Sequence, residues 1–188
     1  MKMTTMRSLV GCAAALMLLA GSSAAQDKGK TAAAELTSQS QAALQLLLSK
    51  APLAKALQAK AVAVLVFPKI TKAGLGIGGQ YGEGTLLKGG NPAAYYKTTG
   101  ASFGLQAGGQ QYGYAMYFMN DKAVGQLDNA NGFEVGVGPS LVMVDEGMAK
   151  TTTTTTLDKD IYAFVFGQKG LMAGLGIQGN KVTKITPK

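Results

Sequence analysis

The sequence predicts an α+β fold: N-terminal helices packed on a strongly curved, glycine-rich antiparallel β-sheet or small barrel. Three observations carry this. Apolar residues recur at Ala33, Leu36, Ala43, Leu44 and Leu47, the spacing of one helix face. From Ala61 onward the chain alternates β-rich runs with turn residues. The 188 residues include 26 glycines, and many of these alternate, as at Gly74, Gly76 and Gly78. A strand face without side chains lets another element approach closely or lets the sheet bend sharply.

The elements follow in order. Lys2 and Arg7 precede the apolar run Leu9 to Ala20, and Ser23-Ala24-Ala25 ends in a small-x-small pattern. Residues 1–25 therefore read as a signal peptide cleaved before Gln26. As a helix, the apolar run would span about 18 Å, short of the roughly 30 Å hydrocarbon core. Leu9-Val10-Gly11-Cys12 spells a lipobox, but Cys12 opens the apolar run where a lipobox would close it. The lipoprotein form is thus the minor alternative to a periplasmic or secreted protein. Cleavage after Ala25 removes the single cysteine and with it any thiol chemistry.

Residues 26–60 form a helical segment with a polar start at 26–31. Pro52 breaks or restarts it, and a second helix covers about 53–60. Residues 61–67 read as a strand ending at Pro68. Further strands are expected at 74–87, 94–107, 112–119, 133–144, 161–166, 171–177 and 181–185. Gly89-Gly90-Asn91-Pro92 is a turn. Residues 120–127 read as a short helix capped by Asn120. The threonine run 151–156 is a loop or polar edge strand. Residues 61–188 are thus a β-rich core that forms one globular unit with the helices.

Charge is segregated. The chain carries 18 basic and 10 acidic residues, a net +8, or +6 once Lys2 and Arg7 are removed. Residues 36–82 hold Lys50, Lys55, Lys60, Lys69 and Lys72 without an acid, and 161–188 hold Lys169, Lys181, Lys184 and Lys188 without one. Between them, 83–160 carry five lysines against eight acids. Such asymmetry fits an anionic partner, and the same charges also serve solubility. Lys50, Lys55, Lys60, Lys69 and Lys72 are the candidate lipid-contacting residues.

The motifs that resemble chemistry lack its other parts. Gly100-Ala101-Ser102-Phe103-Gly104 matches a nucleophile elbow, but the chain has no histidine to take the serine proton. Gly74-Leu75-Gly76-Ile77-Gly78-Gly79 contains G-x-G-x-x-G, yet Gln80-Tyr81-Gly82-Glu83-Gly84 is a poor start for the helix that a dinucleotide needs. Asp145-Glu146 and Asp158-Lys159-Asp160 have no calcium-loop spacing. The expectation is a non-enzyme without cofactor or metal. Nucleic acid is a poor partner, because Arg7 is the only arginine. Tyr95, Tyr96, Tyr112, Tyr114, Tyr117 and Phe118 read mostly as core or cross-strand pairs, with a few available to line a lipid groove.

Val64-Leu65-Val66-Phe67-Pro68, then Lys72 through Gly84, Ala101 through Gly108, Phe133 through Gly138 and Gly170 through Gly174 resemble the SYLF domain in order. The likeness spans about Ala33 to Ile185. It implies a lipid-binding domain related to the yeast actin-binding SYLF proteins. Eukaryotic relatives bind phosphoinositides and some bind actin, whereas bacterial relatives are usually exported. The family often has Trp where Phe133 stands and an acid near Gly138. This chain has neither, so no role is carried over for that acid. The expected partner is an anionic phospholipid surface such as phosphatidylglycerol or cardiolipin. The alternative is an envelope structural or stress protein acting through protein contacts or as a homo-oligomer.

Overall fold

The computed structural model describes residues 17–128, 133–135, 141–145, 159–170 and 180–188. Helix α1 (Met17–Lys50) and helix α2 (Pro52–Gln58) lead into two long strands, β1 (Ala63–Lys88) and β2 (Asn91–Phe118). Helix α3 (Asp121–Gly125) and a 3-10 turn follow, then β3 (Phe133–Val135), β4 (Leu141–Asp145), β5 (Ile161–Gly170) and β6 (Asn180–Ile185). The α+β expectation holds. The expected strand 171–177, the glycines at 136, 138, 174 and 176, and the threonine run 151–156 lie outside the described residues.

Strand β2 is the centre of the sheet. One edge pairs with β1 along its whole length, from Lys88↔Asn91 to Ala63↔Phe118. The opposite edge pairs with β6 at Tyr95–Thr99 and with β5 at Gln110–Phe118. The strand order is β3-β6-β2-β5-β4, with β1 on β2. Three expectations are corrected here. The runs 94–107 and 112–119 are one strand, because nothing between them ends the ladder with β1. The expected strand 133–144 is two strands at opposite ends of that order, β3 beside β6 and β4 beside β5. The sheet is mixed, since β4 runs parallel to β5, and among the described residues it does not close into a barrel.

It is nevertheless sharply folded. An extended strand rises about 3.3 Å per residue, so 18 residues would separate Val66 from Gly84 by about 60 Å. Yet a Cβ added at Gly84 would lie 2.9 Å from the Val66 carbonyl carbon and 2.7 Å from Phe67 Cδ1. At Gly82 it would lie 2.9 Å from the Lys69 carbonyl oxygen. The β1–β2 ribbon thus doubles back on itself, and glycine backbone forms the inside of the fold. The bend lies near residues 74–78, where a Cβ on Gly74 would come within 2.9 Å of the Gly78 nitrogen. The ladder also slips there, between Leu75 and Ile77. At the far end, Gly89 and Gly90 take φ of 56° and 83° in the connection between β1 and β2, a conformation glycine adopts at low cost.

Over 63–67 the returning layer covers one face and α1 and α2 cover the other, which is why this run is apolar without alternation. Ala63, Leu65 and Phe67 point into the fold with Tyr112, Tyr114, Met116 and Phe118, against Leu86, Tyr96 and Val182 of the returning layer. Val64 and Val66 point the other way, with Ala115, Tyr117 and Phe164, beneath Leu44, Leu47, Leu53 and Leu57 of α1 and α2. Helix α1 lays down the stripe Leu36, Ser40, Leu44 and Leu47, all buried. Ser40 Oγ donates to the Val66 carbonyl oxygen at 3.3 Å and lies 3.2 Å from Thr85 Oγ1, tying the helix to both arms of β1.

Local chemistry explains the ends. Pro52 opens α2, where its missing N–H is not required. Asn120 caps α3 as expected, its side chain accepting from the Ala123 N–H at 2.8 Å. The Asn120 amide also donates to Asp160 Oδ1 at 2.7 Å, which gives Asp160 a structural part beside the start of β5. Pro68, in contrast, does not end the strand. The ladder slips between Phe67 and Ile70 and then continues, a bulge at a residue with no N–H to give.

Candidate functional site

That bulge opens a groove of about 400 Å³ between α1 and the sheet. Three irregularities meet at its floor: the slip at Pro68, a second slip between β2 and β5 at Gln111 to Gly113, and Gly167 at φ 62°. Strand bulges interrupt pairing and re-aim side chains, and here they leave the helix standing off the sheet. Gly113 has Phe166 across it, with the ring Cζ 2.6 Å from where a Cβ would sit. Leu46 of α1, 45% exposed, Pro68 and Phe166 supply apolar lining.

The rim is cationic. Lys50 ends α1, Lys69 follows the β1 bulge, and Lys169 lies near the end of β5; all three line the groove and are exposed. Among the described residues no carboxylate lines it. A smaller cavity of about 200 Å³ continues from it, sharing Pro68 and Lys69 and reaching Leu36, Tyr81 and Glu83. Tyr81 donates a short hydrogen bond to Glu83 Oε1. That bond, with some burial and the negative charge beside it, pushes the Tyr81 phenol up to about 12.

The five lysines singled out from the sequence therefore divide. Lys50 and Lys69 come together, although they lie on different elements. Lys55 and Lys60 are exposed on and just after α2 and line neither cavity. Lys72 is 3% exposed and lines neither cavity. The cause is the Pro68 bulge: inward positions run Ala63, Leu65, Phe67 before it and Ile70, Lys72 after it. A one-residue slip flips every later side chain to the other face. Lys169 was the residue missed. Its acid-free neighbourhood was a signal, but only β2 pairing with both β1 and β5 brings it beside Lys69.

The other motifs take ordinary positions. Ser102 lies within β2, with strand on both sides, so its backbone does not make the strand–turn–helix of a nucleophile elbow. Residues 74–79 lie within β1 with no helix after them. Of the aromatic group, Tyr96, Tyr112, Tyr114, Tyr117 and Phe118 are buried. Tyr95 is partly buried, with its hydroxyl 3.0 Å from Thr37 Oγ1. Among the described residues, no helix is long and apolar enough to cross a membrane.

The fold and its groove define a helix-on-sheet domain with a lysine-rimmed, apolar-lined surface cleft, the equipment of a binding module. Residues 99–186 match the family model Ysc84, described as Las17-binding protein actin regulator, which is the SYLF family that the sequence resembles. It is a family of binding domains and not a known enzyme family. The match takes in β2 from Thr99 through β6, and so the Gln111, Phe166 and Lys169 side of the groove. The blocks at 64–84, and the Lys50 and Lys69 side, lie outside it. No curated protein matches the chain.

Proposed function

We propose that this is an exported, non-enzymatic protein that binds anionic phospholipid at the groove between α1 and the sheet. One observation carries the reading: three lysines from three separate elements surround a cleft whose apolar lining includes Leu46, Pro68 and Phe166. A cationic rim over an apolar interior is the complement of a phospholipid, whose charged headgroup adjoins an acyl chain. The family match supports a binding role in general. Actin regulation is not carried over, because the proposed location is outside the cytoplasm. Protein–protein contact in the envelope remains the reading to adopt if lipid binding fails.

Each lysine near an anionic membrane contributes about 1 kcal/mol. Replacing Lys50, Lys69 and Lys169 together by glutamine should thus cost about 3 kcal/mol, a weakening of roughly a hundredfold. Co-sedimentation with phosphatidylglycerol vesicles measures it. The control carries Lys88→Gln, Lys122→Gln and Lys181→Gln, the same charge loss at exposed positions away from the groove. Binding should also fall with added salt, which screens such attraction over about 8 Å at physiological strength. Equal losses in the two triple variants, or equal binding to neutral vesicles, would sink the proposal. Export is tested separately by the intact mass of the secreted chain. The expected mass begins at Gln26, and an acylated form beginning at Cys12 would overturn the cleavage reading.

A further inference from the structure

The two cavities lie end to end under one face of α1. Leu36 and Gln39 line the smaller, and Ala43, Leu46 and Lys50 line the larger. These positions follow helical spacing, so they share a stripe of the helix about 21 Å long. Lys69 stands where the cavities meet, since it lines both. The doubled ribbon puts acid chemistry beside it. At Gly82 the returning arm of β1 comes close enough that a Cβ would lie 2.9 Å from the Lys69 carbonyl oxygen. Tyr81 and Glu83, on either side of Gly82, share the other face of the strand and line the smaller cavity.

The two cavities therefore differ chemically. The larger is rimmed by lysines, while the smaller holds a carboxylate. Tyr81 donates to Glu83 Oε1 and fixes its position. The phenol, pushed up to about 12, keeps that proton at neutral pH. Among the described residues nothing else bonds to the Glu83 carboxylate, and no ion pair joins it to Lys69. Gln39 Nε2 donates to Glu35 at 3.0 Å, which leaves the Gln39 amide oxygen to accept. The cavity, about 200 Å³, is many times what a single water requires, so a three-carbon polyol fits. Its acceptors suit hydroxyl donors, the carboxylate most strongly, and the same carboxylate repels a second anion.

We propose that Glu83, held in place by Tyr81, sets the headgroup specificity of the lipid site, accepting the hydroxyls of a phosphoglycerol headgroup and turning away a headgroup with a second phosphate. This rests on the groove as the lipid site. The phosphate sits at Lys69, the acyl chain runs over Leu46 and Phe166, and the glycerol enters the smaller cavity to donate to Glu83 and Gln39. Phosphatidylglycerol meets these demands. Cardiolipin carries a second phosphate in place of the terminal hydroxyl, and that phosphate would stand against Glu83.

The test is co-sedimentation of the full mature chain with phosphatidylcholine vesicles carrying either phosphatidylglycerol or cardiolipin at equal surface charge. The parent should prefer phosphatidylglycerol by about tenfold, and Glu83→Gln should remove the preference by raising affinity for cardiolipin. Tyr81→Phe keeps the charge but frees the carboxylate, and should reduce the preference by about threefold. A parent without the preference, or a Glu83→Gln variant that keeps it, overturns the assignment. So does a Glu83→Gln variant that binds both lipids more tightly by one common factor, since that is surface charge alone. Those results leave the groove standing if the triple glutamine variant loses binding to both lipids. If the triple variant binds as the parent does, the lipid site and its specificity fall together.

Discussion

Gly84→Ala is expected to destabilise the protein by roughly 3 kcal/mol or more, at the upper end of overpacking costs. The added methyl would lie 2.7 Å from Phe67 Cδ1 and 2.9 Å from the Val66 carbonyl carbon, and closer still to the Val66 oxygen. Two of these obstacles are backbone, and Val66 is held on its other sides. Its carbonyl accepts from Ser40, and its side chain lies in the cluster beneath α1 and α2. The clash therefore cannot relax by a rotamer change. It must part the two layers of the ribbon, which share Leu65, Phe67, Leu86 and Tyr96 in one core. Against a domain stability of about 5–15 kcal/mol, that is a large fraction. Gly125→Ala is the matched control. It lies in α3 with nothing within 4 Å of the added atom, so it should be neutral or stabilising by up to about 1 kcal/mol. Denaturant unfolding followed by circular dichroism checks both. A Gly84→Ala midpoint indistinguishable from the parent would refute the doubled ribbon.

Alkaline pH should unfold the protein over a narrow range. Tyr112, Tyr114 and Tyr117 lie close together on β2, and all are 2% exposed or less. Burial pushes the Tyr112 phenol up to about 12, its contact with Gln80 acting in the opposite sense. Burial raises Tyr114 and Tyr117 further, and the charge of Tyr112 adds to the rise at Tyr114. An unfolded tyrosine titrates near 10. The folded pKa values lie above that, so the folded state keeps its protons where the unfolded state loses them. The stabilisation is complete below pH 10 and declines as pH rises toward 12 and beyond. Each such group contributes a loss of about 1.4 kcal/mol per pH unit, so three remove about 4 kcal/mol by pH 11. Tyrosinate absorbance should therefore rise together with the loss of circular dichroism. Tyr112→Phe should make the decline shallower by about one third. Tyrosines that ionise near pH 10 in a chain that keeps its fold would contradict the buried assignment.

Much of this architecture is written locally. The stripe from Leu36 to Leu47 shows as a helix because side chains three and four apart share a face. Pro52 and Asn120 mark helix starts because each solves the problem of unpaired N–H groups in its own way. The uninterrupted apolar run before Pro68 signals a strand covered on both faces. The SYLF resemblance was legible as ordered blocks, and the family match bears it out over 99–186.

The candidate site was legible only in part. Segregated charge pointed to Lys50 and Lys69 and, more faintly, to Lys169, since a run without acids is visible in one dimension. That Lys50, Lys69 and Lys169 surround one cleft depends on β2 holding β1 on one edge and β5 on the other, through pairs as far apart in sequence as Ala63↔Phe118 and Gln110↔Gly170. Lys72 shows the limit most sharply. Its place in the sequence resembles that of Lys69, and Pro68 reads equally well as a strand end or a bulge. Because strand side chains alternate, that single slip decides between solvent and core, and it is set by which residues of β2 stand opposite. Helix positions, chain polarity and the need for glycine were thus determined by the sequence alone. Which glycines meet which backbone, which lysines share a groove and which one is buried were decided by the doubled ribbon, because face and neighbour are properties of pairing between distant strands.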